Sequence, residues 1–437
     1  FPSCPGRFDY TSSFMAQKVG IADLPELMLS GNFPEEVVFQ GDSAVVSIYK
    51  NGELLLEEEY VHDGSYLISL KLRELLDGQL TTTIPVTGDL VDQTDSAADF
   101  EIHIPGQQGA AVYPFRLVKG GVNSDFIDSA SFLRANFLTW MPRVKKVKYL
   151  DPQWLTYYAV AESKLMVQAT WLENGVLSTS DPVEFYTLPY RKKTSMNVKF
   201  EMLWDNFSDE ARAPYYIDCW IEDEGRDKKT YTQRYVLSDE YHEFDDLFAF
   251  ENSLCGFDVI RFTGELSHGV NHEYKSALFD KDSLEYDLIF KKVFEKNTGY
   301  FRNGYELLWT NDFLASINRY HYVNGLPLRI VVNSFEAKDV KTELNHYSFN
   351  FSYSRQSRYL DNSSIIAQLP GMISEFSGMP LIWDDIYVRV FGDQSVDGVK
   401  TFLQPVKTNE VKPASGENLI LNDLVVQEGG IIDCGEF

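Results

Sequence analysis

The chain has 437 residues, too many for one ordinary hydrophobic core, and its composition of 44% hydrophobic and 14% aromatic residues excludes a disordered polypeptide. A formal charge of −26 argues against nucleic acid or an anionic membrane surface as partner, because both need clustered Lys and Arg. The 30 Phe and 25 Tyr favour β-structure, where aromatic side chains suit a pleated, half-buried surface.

Residues 36–70, EVVFQGDSAVVSIYKNGELLLEEEYVHDGSYLISL, read as short strands joined by tight turns. Val45, Ser47 and Tyr49 alternate with Val46, Ile48 and Lys50, and Asn51-Gly52 supplies the pair of positive-φ residues that a two-residue hairpin needs. KLRELLDGQL predicts one or two helical turns stopped near Gly78. Between about 81 and 110, Thr, Asp, Gly and Gln accumulate, as in a loop-rich edge or a linker. A helix is predicted in DFIDSASFLRANFLTW, capped by Ser124 or Asp125, and a strand–turn unit in KLMVQATWLENGVL around Asn174-Gly175. Alternating segments continue through SMNVKFEMLW, PYYIDCWIED and SLEYDLIFKKVF, with a helical GYELLWTNDFLASI before the last strands. After Tyr359 a Ser-, Gly- and Pro-punctuated stretch reads as a hinge.

The pattern predicts a mainly β protein with minor α (α+β), built from several antiparallel β-sandwich-like modules and ending in an extended β segment. The expected divisions are 1–110 and 111–194 (two β-rich modules), 195–360 (an α+β module), 361–390 (linker and short strands) and 391–437 (the extended segment). No stretch approaches the roughly twenty apolar residues of a membrane-spanning helix. FPSCPGRFDY lacks the charged start and apolar run of a secretory signal.

Few residues carry a chemical signature. Cys4, Cys219, Cys255 and Cys434 are far apart with no C-x-x-C pair, which favours reduced thiols and leaves one long-range disulfide open. His268 and His272 share a face only on a helix that Gly269 and Val270 disfavour; His242, Glu243, Asp245 and Asp246 lack the Gly-centred register of a calcium loop. No nucleophile elbow and no phosphate-cradling glycine loop occurs, so no catalytic residue, metal site or cofactor is expected. Two basic patches break the acidic background, RVKKVK (Arg143, Lys145, Lys146, Lys148) and RKK (Arg191 to Lys193). The simple expectation for the first is a solvated face, the functional one a docking patch for an acidic neighbour. Trp154, Trp171, Trp204 and Trp309 suit a core, or else a platform for sugar rings.

FENSLCGFDVIRFTGE (Phe250 to Glu265), YELLWTNDFLASINRYHYVNGLPLRIVVNS, YSFNFSYS and the earlier VVSIYKNGELLLEEEYVHDGSYLISL resemble tail-associated proteins of phages and prophages from Bacteroides-like bacteria. Near the end, DQSVDGVKTF resembles the Q-T-V-x-G-x-K-T-F element of phage tail fibres, through Gln394, Val396, Gly398, Lys400, Thr401 and Phe402, with Pro405-Val406 following and Ser395 in place of Thr. The spaced apolar positions Val396, Val399, Phe402 and Val406 have too little company to form a core in one chain, and three copies around an axis would supply it. NLILNDLVVQEGGIID repeats the arrangement at Leu419, Leu421, Leu424 and Val426. The resemblance implies a structural tail or baseplate component of a virion, assembled in the bacterial cytoplasm and not an enzyme. Its expected partners are other tail or baseplate proteins, two further copies of itself, and host surface polysaccharide reached through the assembly. The alternative is a secreted or cell-surface carbohydrate-binding adhesin, and a third, weaker reading is a polysaccharide-degrading tail enzyme.

Overall fold

The computed structural model describes residues 18–355, apart from 63, 65, 87, 107–108, 124–126, 174, 208–212, 280–281, 324 and 337–344, together with 410–411, 419–421, 424–426 and 432–433. The chain divides into two compact units, Phe1–Arg358 and Tyr359–Phe437. It is mainly β, with four α-helices among the described residues. No helix there is long and apolar enough to cross a membrane.

The first unit begins with two sheets facing one core. A three-stranded sheet runs in the order Lys18–Gly20, Glu36–Gln40, Leu67–Leu70, and a five-stranded sheet in the order Leu27–Leu29, Gly109–Val118, Ala97–Gly106, Ser43–Lys50, Glu53–Val61. Alternation along the strands sends Val46 and Ile48, Phe100 and Ile102, and Phe115 and Leu117 inward, where they meet Val37, Ile68 and Leu70. Helix α1 (Arg73–Gly78) adds Leu76 to this core. At the Asn51-Gly52 hairpin both residues take positive φ, 50° and 85°, and Lys50 pairs with Glu53, as a two-residue primed turn requires.

A three-stranded sheet links this region to the next: Leu90–Asp92 pairs with Lys193–Asn197, which pairs with Trp154–Tyr158. A six-stranded sheet follows, ordered Val144–Val147, Gln233–Leu237, Tyr216–Asp223, Ser163–Glu173, Val176–Thr179, with Val183–Leu188 also on Ser163–Glu173. The third large sheet has seven strands, Phe257–Phe262, Asp246–Glu251, Arg319–Val323, Leu326–Glu336, Ser348–Tyr353, Asp282–Asn297 and Leu266–Phe279. One hydrophobic cluster unites the last two sheets with helices α3 (Phe200–Asp205) and α4 (Gly304–Ala315), bringing Leu165, Ile217 and Tyr235 together with Phe248, Phe313 and Phe351.

Residue 110 lies in a hairpin paired from Ala97↔Val118 to Gly106↔Gly109, and residue 194 lies inside a strand paired on both sides. The polar stretch expected over 81–110 is loop-rich only as far as residue 96, where the Gln93 side chain exchanges two 2.7 Å hydrogen bonds with the Thr83 backbone; Ala97–Gly106 is a strand.

The predicted helix at 125–140 is shorter, Ser129–Ala135 (α2), and its cap is Asp128, whose carboxylate accepts from the Ser131 amide at 2.8 Å. Ser124 and Asp125 lie outside the described residues. Among the described residues three strand pairs are parallel, Lys18–Gly20 with Glu36–Val38, Leu27–Leu29 with Arg116–Val118, and Val144–Val147 with Arg234–Leu237, and the other pairs are antiparallel. Each parallel pair involves a short strand arriving from an irregular segment, which hairpin logic does not foresee.

The regions interlock where three backbones converge. The Gly31 amide donates to Gly120 O at 2.8 Å, and the Gly121 amide to Ser253 O at 3.0 Å. Gly120 has φ of +135°, and a Cβ there would stand 2.6 Å from Leu254 O; at Gly256 it would stand 2.0 Å from Leu138 O. Only glycine permits these approaches. Asn252 fixes the turn, its Oδ1 accepting from the amides of Leu254 and Gly256 and its Nδ2 donating to Leu138 O.

In the second unit, Glu410–Val411 pairs antiparallel with Ile432–Asp433, and Leu419–Leu421 with Leu424–Val426. Leu419 stands opposite Val426, and Leu421 opposite Leu424, so these apolar positions have backbone partners within one chain.

Candidate functional site

The strand Val144–Val147 inverts the usual pattern. Val144 is 59% exposed, whereas Lys145 is buried, so the expected solvated face of RVKKVK is corrected: one of its lysines points inward. The cause lies about 110 residues further on, in Phe257–Phe262, which carries Asp258 in the protein interior. Lys145 Nζ donates to Gln153 Oε1 and to Val259 O, both at 2.5 Å, and sits 4.9 Å from the centre of the Trp309 ring. Asp258 Oδ2 accepts from Trp309 Nε1 at 2.8 Å and from Thr139 Oγ1 at 2.9 Å. Burial pushes the Lys145 ammonium down to about 8, against the nearby Asp258 and Asp151 charges. Burial likewise pushes Asp258 up to about 6, opposed by its hydrogen bonds from Trp309 and Thr139.

Lys145 and Trp309 form the floor of a groove of about 360 Å³ between the edge of the six-stranded sheet and the start of α4. Its walls carry fixed ion pairs. Lys148 and Arg261 both bond Asp245, and Arg261 Nη2 also reaches Asp151 Oδ2 at 2.5 Å. Burial tends to raise Asp245, but hydrogen bonds from Lys148 and Arg261 outweigh it and hold the carboxyl below its ordinary value. Opposite, Lys146 bonds Glu240, and Arg302 Nη2 lies 3.2 Å from Glu240 Oε2.

The start of α4 closes the groove through a reciprocal cap. Asn303 Oδ1 accepts from the Tyr305 and Glu306 amides at 3.0 Å, and Glu306 Oε2 accepts from the Arg302 amide at 2.8 Å. Just before it, Phe301 packs edge-on to Tyr347 at 5.1 Å. Tyr300 stands at the rim, 65% exposed and perpendicular to His346 with ring centres 5.5 Å apart.

A second cavity of about 190 Å³ lies between Thr82–Ile84 and the Cys255–Phe257 turn. Glu251 bonds Thr82 there and accepts from Asn318 Nδ2 at 2.6 Å. Cys255 and the buried Cys219 are free thiols. Burial raises both, Cys255 to about 12, which leaves them poor nucleophiles.

Inside the seven-stranded sheet, Asp246, His321 and Tyr353 form a line: His321 Nε2 is 3.2 Å from Asp246 Oδ1, and His321 Nδ1 2.8 Å from the Tyr353 hydroxyl. Lys296, with a side chain 0% exposed, donates to Asp246 Oδ2, to Phe244 O at 2.8 Å and to Gly264 O at 2.7 Å. No cavity described above reaches His321, and the line reads as a buried polar strut.

Asp245 and Asp246 thus face separate cations and do not form a joint cation site with His242 and Glu243. His268 and His272 lie on the strand Leu266–Phe279, about 13 Å apart along it, too far to share a metal ion. No group of three or more His, Cys, Asp or Glu among the described residues is placed to hold a metal ion. Trp154, Trp171 and Trp309 are buried and Trp204 packs edge-on to Tyr149 at 5.6 Å, so these four indoles serve the core. The fibre-like residues Gln394, Val396, Gly398, Val399, Lys400, Thr401, Phe402 and Val406, together with Cys4 and Cys434, lie outside the described residues. Sequence reasoning missed Asp258, Tyr300 and Arg302. The one available signal was Asp258 itself, an acid inside the apolar run GFDVIRF.

Comparison with known proteins found no matching family profile and no matching curated protein.

Proposed function

We propose that the chain is a structural component of a phage tail, a fibre or a baseplate protein that anchors one, helping to present the host-adsorption apparatus in the virion without catalytic turnover. The observation that carries this reading is a β-arm with no third strand among the described residues. Strands Leu266–Phe279 and Asp282–Asn297 pair along their length, yet among the described residues only Phe294–Asn297 continues into the rest of the sheet, on Ser348–Phe351. From His272 and Phe290 outward, about 25 Å of ribbon has no third strand among the described residues. A two-stranded ribbon is marginal in water by itself, and a neighbouring subunit is the natural support. The likeness of DQSVDGVKTF to tail-fibre sequences adds the expectation of a homotrimer.

Light scattering of the full chain at micromolar concentration tests the reading. A trimer that weakens on deletion of the residues after Tyr359 is expected, and a strict monomer overturns the fibre-type assembly. Shortening the arm by removing Ser276–Ser283 is expected to leave the core folded and to reduce incorporation into particles.

A further inference from the structure

We infer that the groove between Val144–Lys148 and the start of α4 is a binding site for a short neutral oligosaccharide. The inference does not rest on the tail assignment. Four observations lead to it.

The groove is a cavity of ligand-binding size whose floor sets the Trp309 ring beside the Lys145 ammonium and whose walls are polar. Tyr300 offers a flat aromatic surface at its mouth, and the perpendicular contact with His346 steadies the ring edge while most of the residue stays open to solvent. An amphipathic ring in that position can lie against the C–H face of a sugar. Next, the lining presents donors beside an acceptor, Lys146 and Arg302 with Glu240, together with Lys148 and Arg261, both bonded to Asp245. A sugar hydroxyl donates and accepts at once, so it can join such pairs without breaking them. Finally, the pairing argues against a charged ligand. The four wall cations Lys146, Lys148, Arg261 and Arg302 are each already bonded to a carboxylate, an anion would have to approach a chain of net charge −26, and a cation would have to displace lysine or arginine.

The position is also built to hold its shape. The α4 cap fixes Arg302, and the buried Lys145, Trp309 and Asp258 bonds lock the floor. A preorganised site loses little entropy on binding a polar ligand.

The test uses the full chain and a panel of neutral glucose, mannose and galactose oligomers, with uronic-acid and sialylated oligomers alongside, read by saturation-transfer NMR and titration calorimetry. At least one neutral member is expected to bind. Tyr300→Ala and Arg302→Ala should each weaken that binding tenfold or more at unchanged melting temperature, and Tyr300→Trp should retain it. Absence of binding by every neutral member at millimolar concentration overturns the inference. So does binding confined to the acidic members, or affinity unchanged in both alanine variants. A monomeric chain that still binds would separate this inference from the tail proposal.

Discussion

The indole N–H of Trp309 donates to the carboxylate of Asp258 at 2.8 Å, a bond between helix α4 and the strand Phe257–Phe262 that lies wholly inside the protein. The same ring lies against the Lys145 ammonium, so one side chain partners both members of a buried charge pair. Trp309→Phe keeps an aromatic face and deletes the donor. Chemical denaturation should show a loss of about 1–3 kcal/mol, and the Asp258 carboxyl should titrate still higher than in the wild type. An unchanged midpoint would mean that Thr139 and Asn252 satisfy the carboxylate without Trp309.

The Lys145–Asp258 pair predicts two pH dependences of opposite sense. Asp258 has a folded pKa of about 6, above its ordinary 3.8, so its contribution to stability is full below 3.8 and disappears as pH rises through 6. Lys145 has a folded pKa of about 8, below its ordinary 10.5, so its contribution is full above 10.5 and is lost as pH falls through 8. Subtracting the stability curve of Asp258→Asn from that of the wild type should isolate the first slope, and Lys145→Met the second. Lys145→Met should itself cost about 3–5 kcal/mol near neutrality, because it strands a buried carboxylate.

Asp246 makes the reverse prediction in acid. Burial works to raise its carboxyl, but hydrogen bonds from His321 and Lys296 prevail and hold it below 3.8. Its stabilising contribution is therefore present above that value and lost as pH falls through the folded pKa. Melting temperature should drop steeply below pH 4 in the wild type and less steeply in Asp246→Asn. Lys296→Met should be destabilised by about 3–5 kcal/mol at pH 7, since Asp246 and two carbonyls lose a buried donor.

Glycine substitutions separate tight from open positions. Gly256→Ala sets a methyl group 2.0 Å from Leu138 O and should lower stability by about 3 kcal/mol or more, with loss of soluble protein as the harsher outcome. Gly304→Ala, at the start of α4 with nothing near its Cβ, should raise stability by about 0.5 kcal/mol. Equal behaviour of the two variants in a thermal melt would refute the interlock at residues 252–256.

Local rules reached some of this structure and not the rest. Asn51-Gly52 announced its hairpin because a primed turn needs positive φ at both positions, a property of two adjacent residues. The short helix before Gly78 was legible for the same reason. Lys145 was not. Its inward direction depends on Asp258, which no local window around RVKKVK contains, and alternation alone puts Lys145 with Val147 on one face and Val144 with Lys146 on the other without saying which is buried. The groove was equally hidden, since Tyr300 and Arg302 gain meaning only when α4 is set beside Val144–Val147. A polar stretch such as Thr81–Asp89 looks the same in sequence whether it joins two domains or edges one sheet.

The pairing of Leu90–Asp92 with Lys193–Asn197 has a consequence for synthesis. The earlier strand must wait for a partner made a hundred residues later, a delay of about 5–20 s at ordinary elongation rates. Val144–Val147 waits in the same way for Gln233–Leu237. For that interval the nascent chain carries unpaired strand edges, and its first two sheets can close while the linking one cannot. Completion of the fold is thus timed by the ribosome, and a pause placed between residues 92 and 193 would lengthen the period in which the chain is open to chaperones and to mispairing.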